Sequence, residues 1–153
     1  VAGTEPIEAS IPIDILRRAG ANVTVASAGD ALLVEIMYGV KILADELLVD
    51  CAAASYDLIV LPGGVPGAAN LGGRATLEGI VRKHVEKGGL FAAICAAPPL
   101  ALASWGLLDG HKVTTCTAGH CKSGSSNVRR RVRTRSWALI GHPLNVASHI
   151  HIS

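Results

Sequence analysis

Residues 89–103 read GLFAAICAAPPLALA, and the pattern changes at one position, Cys95. The six residues before Cys95 carry no charge and have the length of a buried strand, whereas the small residues and prolines after it begin a helix. A strand that becomes a helix across one residue exposes that residue at the carboxyl edge of the sheet, as in a nucleophile elbow. The helix N-terminus would then favour the thiolate form of Cys95. A small buried thiol in an apolar segment is the alternative.

A second strand, predicted over residues 56–61, ends in the glycine-rich sequence PGGVPG at residues 62–67. Glycines at a strand end let a ligand approach the backbone and leave N–H groups pointing outward. The amides of Gly64 and Ala96 are therefore candidates to hold a developing oxyanion, or an oxidised sulfur, on Cys95. By itself, Pro-Gly-Gly is more often part of a plain loop.

The N-terminal sequence predicts a helix over residues 5–19 with Thr4 as its N-cap. Isoleucines spaced by four residues would form its apolar face: Ile7, Ile11 and Ile15. Glu8 lies close to that face, and a buried Glu tends to be protonated, so that it can donate a hydrogen bond to a thiolate or move a proton. The alternative is an exposed Glu that interacts with the helix dipole.

These three elements, in this order, resemble the ThiJ/PfpI superfamily, and in particular the branch of the parkinsonism-associated deglycase and its plant relatives, also described as glyoxalase III. The residues that carry the resemblance are 3–8, 14–20, 57–64, 92–98 and 112–115, and the sequence WGLLDG at 105–110 is similar to plant members. The match extends from residue 1 to about residue 116.

The resemblance implies a flavodoxin-like α/β three-layer sandwich with a mostly parallel sheet, similar to class I glutamine amidotransferases. It implies Cys95 as nucleophile, Glu8 as its carboxyl partner, and the amides of Gly64 and Ala96 as oxyanion donors. The implied substrates are small 2-oxoaldehydes such as methylglyoxal, converted to 2-hydroxy acids without cofactor or metal, and deglycation would use the same chemistry. A homodimer is also compatible with the resemblance.

Two alternative functions stay open. One is a redox-responsive or chaperone-like stress protein in which oxidation of Cys95 to the sulfinate is the functional event. The other is an inactive, truncated family member. Cys116 stands where many members carry a His, and Tyr38 stands where the animal proteins have an anion-binding Arg. Ala96 stands where protease-like members have His, which argues against a peptidase.

Length and charge indicate one domain followed by a different kind of segment. The chain has 153 residues, 50% of them hydrophobic and 3% aromatic, so we expect a single aliphatic core. All twelve acidic residues lie at or before Asp109, whereas residues 117–153 contain six Lys and Arg and no acid. We therefore predict a partial ThiJ/PfpI-like domain at 1–116 and a basic, mostly irregular tail at 117–153, unrelated to the family. Trp137, Leu139 and Ile140 are the residues expected to anchor this tail on a sheet face.

Apolar periodicity predicts strands at residues 22–27, 57–61, 90–94 and 112–116, a hairpin at 32–43, and helices at 5–19, 76–87 and 99–104. Strands that alternate with helices favour a parallel sheet covered on both faces, with sites at the strands' carboxyl ends. By resemblance, the fold would lack a first strand before Val1 and a closing strand and helix after residue 117. The chain would then be one piece of a longer protein.

The remaining motifs do not predict further sites. Five Arg occur between Arg129 and Arg135 without interleaved aromatic residues, so nucleic-acid binding is not favoured. Cys116, His120 and Cys121 lack the spacing of a zinc site. The four cysteines do not form a disulfide framework, which favours a reducing compartment, the cytoplasm by default, with plastid and nucleus also compatible. Residues 88–108 carry no charge, but two prolines in the middle indicate a buried core element instead of a membrane span.

Overall fold

The computed structural model describes residues 1–111, 113 and 115, and the backbone of residues 137–140. The elements are, in chain order, α1 Pro6–Arg18, β1 Ala26–Ser27, β2 Leu33–Glu35, β3 Lys41–Leu43, β4 Glu46–Leu47, β5 Leu58–Leu61, α2 Val65–Gly72, α3 Ala75–Glu86, β6 Leu90–Ile94 and β7 Trp137–Ile140. Short 3₁₀ turns occupy Met37–Gly39 and Asp50–Ala53, and a π-helical turn occupies Pro98–Leu102.

The strands form three separate groups. β5 pairs in parallel with β6, with Leu58 opposite Leu90, and β7 pairs with the other edge of β6 in the antiparallel direction. β1 and β4 form a second, parallel pair, and β2 and β3 form an antiparallel hairpin. Because β5 and β6 are parallel, their carboxyl ends lie at one edge, which is where Gly64 and Cys95 follow them.

The buried core is mostly aliphatic, as the composition predicts, and also contains Phe91 and Trp105. Its main cluster joins the strands β5 and β6 to the helices α2 and α3 and to the turn Pro98–Leu102. Trp105 is buried in the same cluster, and its indole N–H donates to the carbonyl of Gly72 at 3.0 Å, which satisfies its one polar group.

Most predicted elements are confirmed. The helix at 5–19, the hairpin at 32–43 and the strands at 57–61 and 90–94 are present to within one or two residues, and so is the helix at 76–87. Of the predicted strand 22–27, only Ala26–Ser27 forms. The predicted strand 112–116 lies outside the described residues except for positions 113 and 115.

Helix α2 was not predicted, since the sequence analysis assigned no helix between the strand at 57–61 and the helix at 76–87. Gly64 is the residue before α2, and Pro66 occupies its first turn, where a missing N–H costs nothing. The loop between β3 and β5 likewise contains the short strand β4, which the sequence did not predict.

The start of α1 also differs from the prediction. Glu5, not Thr4, is the N-cap, because its carboxylate accepts the N–H of Glu8 at 2.7 Å. The hydroxyl of Thr4 donates instead to the carbonyl of Val1 at 2.8 Å. The isoleucine face points outward, as the exposures of its members show: Ile7 56%, Ile11 44% and Ile15 45%. Glu8 points inward.

The described part of the tail is a strand. Trp137–Ile140 pairs with β6 along its whole length, with Trp137 opposite Ile94 and Ile140 opposite Phe91. The backbone of these four residues forms an edge strand of the sheet. The sequence analysis instead predicted an irregular chain anchored on a face of the sheet. The other residues of the tail lie outside the described residues, and the boundary at residue 116 stays a prediction.

Among the described residues, no helix is long and apolar enough to cross a membrane.

Candidate active site

Cys95 occupies a strained turn between a strand and a helical segment. β6 ends at Ile94, the turn Pro98–Leu102 follows, and the backbone of Cys95 has a φ of 60°, in the left-handed region that residues other than glycine rarely adopt. Such a conformation costs on the order of 1–3 kcal/mol and persists only where the surrounding structure enforces it. The side chain is partly buried. This geometry is that of the elbow predicted from the sequence.

Thr115 helps to hold this turn. Its hydroxyl donates to the carbonyl oxygen of Cys95 at 2.9 Å. In the sequence, residues 112–115 indicated only the family resemblance. Nothing in the local pattern indicates that Thr115 contacts Cys95, because 20 residues separate the two.

Glu8 is buried at the N-terminal end of α1, with 4% of its surface exposed. Its Oε2 accepts the backbone N–H of Gly63 at 3.1 Å, and the N–H of Glu5 donates to the carbonyl of Gly63 at 3.1 Å. Both backbone groups of Gly63 therefore bond to the start of α1. These two bonds fix the position of the Glu8 carboxyl group at the end of β5.

Gly63 is the point where Glu8 and Cys95 meet. A Cβ atom built on Gly63 would lie 2.5 Å from Oε2 of Glu8 and 2.7 Å from Cβ of Cys95. Both atoms lie within 2.7 Å of the same point, so the missing side chain of Gly63 makes room for both groups. Sequence reasoning selected Gly64 and overlooked Gly63. The Pro-Gly-Gly sequence was the available signal, but it does not tell which glycine lies against the carboxylate.

Gly64 has a different role from Gly63. Its φ is 88°, and a Cβ atom there would collide with the carbonyl oxygen of Gly3 and lie 2.8 Å from the amide nitrogen of Glu5. Only glycine fits this close crossing of two backbones. Gly64 and Ala96 are both buried. Gly64 directly follows Gly63, and Ala96 directly follows Cys95. The structure thus places the four predicted site residues Glu8, Gly64, Cys95 and Ala96 around one sheet edge.

The other residues that the sequence analysis discusses lie away from this sheet edge or outside the described residues. Tyr38 is 81% exposed in a turn with a φ of 62°, and Cys116 is not among the described residues. Cys51 is buried, and its thiol is 3.5 Å from a carboxylate oxygen of Glu46. Burial raises the pKa of Cys51, so this thiol ionises less readily than an ordinary one. Burial also raises the pKa of the neighbouring Tyr56 to about 12.

Within the described residues, no cluster of three or more His, Cys, Asp or Glu side chains has the arrangement of a metal site.

The sequence matches the DJ-1/PfpI family over residues 1–133. It is 52% identical over 112 residues to protein DJ-1 homolog A of Arabidopsis thaliana, a match that covers 73% of this chain and 29% of that protein. It is 34% identical over 99 residues to the glutathione-independent glyoxalase DJR-1.2 of Caenorhabditis elegans, covering 65% of this chain and 52% of that protein. The chain therefore spans only part of the length of these relatives.

The structure is similar to that of oxidized Toxoplasma gondii DJ-1, with a TM-score of 0.73 at 43% sequence identity, over 75% of this chain and 62% of that one. This likeness confirms the flavodoxin-like α/β fold predicted from the sequence. Family, fold and the turn at Cys95 agree, and the chain belongs to the DJ-1/PfpI family.

Proposed function

We propose that this protein converts methylglyoxal-type 2-oxoaldehydes to 2-hydroxy acids without a cofactor, with Cys95 as nucleophile and Glu8 as proton carrier. The observation that carries the proposal is the meeting of the strained Cys95 turn and the buried Glu8 carboxyl group over Gly63. The worm relative described as a glutathione-independent glyoxalase supports it. The same chemistry extends to deglycation, in which Cys95 displaces the amine or thiol of an aldehyde adduct and the aldehyde-derived carbons leave as the 2-hydroxy acid.

The reaction begins when the Cys95 thiolate attacks the aldehyde carbon, and the aldehyde oxygen takes up a proton to form a hemithioacetal. Glu8 then accepts the proton of that carbon and returns it to the neighbouring ketone carbon, while the hydroxyl proton of the hemithioacetal moves to the ketone oxygen. The former aldehyde carbon becomes a thioester, and the former ketone carbon becomes an alcohol. Water hydrolyses the thioester, which releases the 2-hydroxy acid and restores the thiolate. One carbon is oxidised and its neighbour is reduced, so no external redox partner is needed.

The backbone amides of Gly64 and Ala96 are the proposed donors to the oxygen that becomes negatively charged during attack. Gly64 precedes the first turn of α2, and Ala96 follows the nucleophile directly. Donors that are fixed before the reaction need no reorganisation when the charge develops, which is why such amides lower the barrier.

The test is methylglyoxal turnover by the full 153-residue chain in buffer treated with a chelator, with lactate as the measured product. Circular dichroism and a melting curve first establish that the chain is folded. Cys95→Ser and Glu8→Gln should each abolish lactate formation, and Cys51→Ser, which removes a thiol outside the site, should not. A folded chain that produces no lactate would refute the proposal.

A second candidate is a redox-responsive function through oxidation of Cys95 to the sulfinate. The buried Glu8 carboxyl group beside Cys95 favours it, because a protonated carboxyl can donate to a sulfinate oxygen. Mild peroxide treatment followed by intact-mass measurement tests it. A stable gain of two oxygens that is lost in both Cys95→Ser and Glu8→Asp is the expected result, and oxidation shared evenly with Cys51 would refute it.

We also propose that the protein forms a homodimer through α1. Ile7, Ile11 and Ile15 form an exposed apolar row along one side of this helix. A symmetric pair of helices would bury both copies of the row.

A further inference from the structure

The first turn of α1 contains an altered capping box. In the ordinary motif, the side chain of the N-cap residue accepts the N–H of the third helical residue, and the side chain of that third residue accepts the N–H of the N-cap. Here Glu5 is the N-cap and Glu8 is the third helical residue. The first bond of the motif is present, because Oε2 of Glu5 accepts the N–H of Glu8 at 2.7 Å.

The second bond of the motif is replaced by two bonds to Gly63, which lies just after β5. The N–H of Glu5 donates to the carbonyl oxygen of Gly63 at 3.1 Å, and Oε2 of Glu8 accepts the N–H of Gly63 at 3.1 Å. Gly63 therefore occupies the donor that the Glu8 side chain would otherwise reach within its own helix. This exchange of partners directs the carboxyl group of Glu8 toward Cys95, which borders Gly63 as well.

The side chain of Glu5 supports this exchange of partners. The usual N-cap residues are Ser, Thr, Asp and Asn, and Glu is not among them. The carboxylate of Glu5 satisfies the N–H of Glu8, a buried residue, and it supplies the negative charge that a helix N-terminus favours. Without Glu5, that N–H would need another acceptor, and the carboxyl group already within reach is that of Glu8 itself. Glu8 would then be drawn away from Gly63 and back to its own helix.

We infer that Glu5 is a positioning residue for the Cys95 site, which keeps the carboxyl group of Glu8 on Gly63 and out of a closed capping box. Glu5 is only partly buried, and it acts through Glu8. The catalytic consequence rests on the proposed function, in which Glu8 carries a proton between neighbouring carbons. The positioning itself does not, because it concerns only the bond between Glu8 and Gly63.

Hydrogen exchange of the Gly63 amide, measured by NMR on the full chain, tests the positioning directly. In Glu5→Ala, the bond between this amide and Glu8 should open more often, so the amide should exchange at least about tenfold faster than in the parent chain. Glu5→Asp restores a usual N-cap side chain with its charge, and exchange should stay within about threefold of the parent rate. An unchanged exchange rate in Glu5→Ala would overturn the inference.

Asp14→Gly is the matched control for a general weakening of α1. Asp14 is exposed in the same helix and forms an exposed ion pair with Arg18, so glycine at this position destabilises the helix without contacting Gly63. The Gly63 amide of Asp14→Gly should exchange at the parent rate. If exchange accelerated equally in Asp14→Gly and Glu5→Ala, the effect would come from helix stability, and the inference would be wrong.

Methylglyoxal turnover by the same variants tests the catalytic consequence. Glu5→Ala should lower kcat on the order of tenfold with KM nearly unchanged, because a displaced proton carrier slows the chemical step and leaves substrate binding intact. Glu5→Asp should recover most of the kcat, and Asp14→Gly should keep the parent value. If the parent chain forms no lactate, the proposed function fails, while exchange of the Gly63 amide still decides the positioning. A parent-like kcat in Glu5→Ala would contradict the catalytic consequence.

Discussion

Replacing Gly63 by Ala is the sharpest test of the site. The added Cβ would lie 2.5 Å from Oε2 of Glu8, 2.7 Å from Cβ of Cys95 and 2.8 Å from the carbonyl oxygen of Ile94. All three distances are shorter than real Cβ contacts, and the contact with Ile94 is to backbone that cannot rotate away. Glu8 and the Cys95 turn must therefore move apart.

The expected size of the effect follows from this crowding. Overpacking of a well-packed site costs about 1–3 kcal/mol, and a displacement of about 1 Å between reacting groups can lower a rate on the order of 100-fold. Each kcal/mol corresponds to a change of about 2–4 °C in the melting temperature of a domain of this size. We therefore expect Gly63→Ala to lower methylglyoxal turnover on the order of 100-fold and to lower the melting temperature by several degrees.

Gly79→Ala is the matched control. Gly79 lies within α3, and a Cβ atom there meets nothing within 4 Å. Since Ala favours a helix over Gly by roughly 0.5–1 kcal/mol, this variant should be as active as the parent chain and slightly more stable. The reasoning is refuted if Gly63→Ala retains the turnover and melting temperature of Gly79→Ala.

Three further predictions concern the hydrogen bonds and surfaces around the site. Thr115→Val removes the bond to the Cys95 carbonyl, so it should cost about 1 kcal/mol in thermal unfolding and slow iodoacetamide labelling of Cys95, whereas Thr115→Ser should do neither. Mass spectrometry of the labelled chain near neutral pH should find Cys95 modified before Cys51. Because burial raises the pKa of Cys51, labelling of Cys51 should increase only at a more alkaline pH than labelling of an ordinary thiol. Earlier modification of Cys51 would count against the proposed nucleophile. Ile11→Lys places a charge in the exposed isoleucine row of α1 and should shift the sedimentation of the protein from dimer to monomer. The control Arg18→Ala, at the end of the same helix, should leave the dimer intact. A chain that is monomeric before mutation would refute the proposed interface.

The parts of the fold that were predicted correctly depend on neighbours in the sequence. β6 and the turn at Cys95 follow from an uncharged run that is interrupted by small residues and prolines, and the hairpin at 32–43 follows from alternation over a few residues. Helix α2 was missed for the same reason. Its first residues, Val65 to Gly67, have the composition of a loop. In the structure they form the first turn of a helix, and the N–H of Gly67 donates a hydrogen bond to the carbonyl of Gly3.

The orientation of α1 could not be predicted from its pattern alone. The isoleucines form an apolar row that ordinarily would face the core, and Glu8 ordinarily would face water. The opposite arrangement occurs because the carboxyl group of Glu8 bonds to the N–H of Gly63, a residue 55 positions away. An apolar row identifies a surface that can be buried, but it does not indicate which surface the rest of the chain will cover.

The sequence by itself determined the family, the alternation of strands and helices, and Cys95 as the residue between β6 and the following turn, because each depends on contiguous residues. Only the tertiary structure decided that Glu8 is buried, that Gly63 makes room for it beside Cys95, and that Thr115 holds the turn. These residues come from four distant parts of the chain, and they meet because parallel strands place their carboxyl ends at one edge. Hydrophobic periodicity reports which side of an element is apolar, and it contains no information about which distant backbone will approach that side.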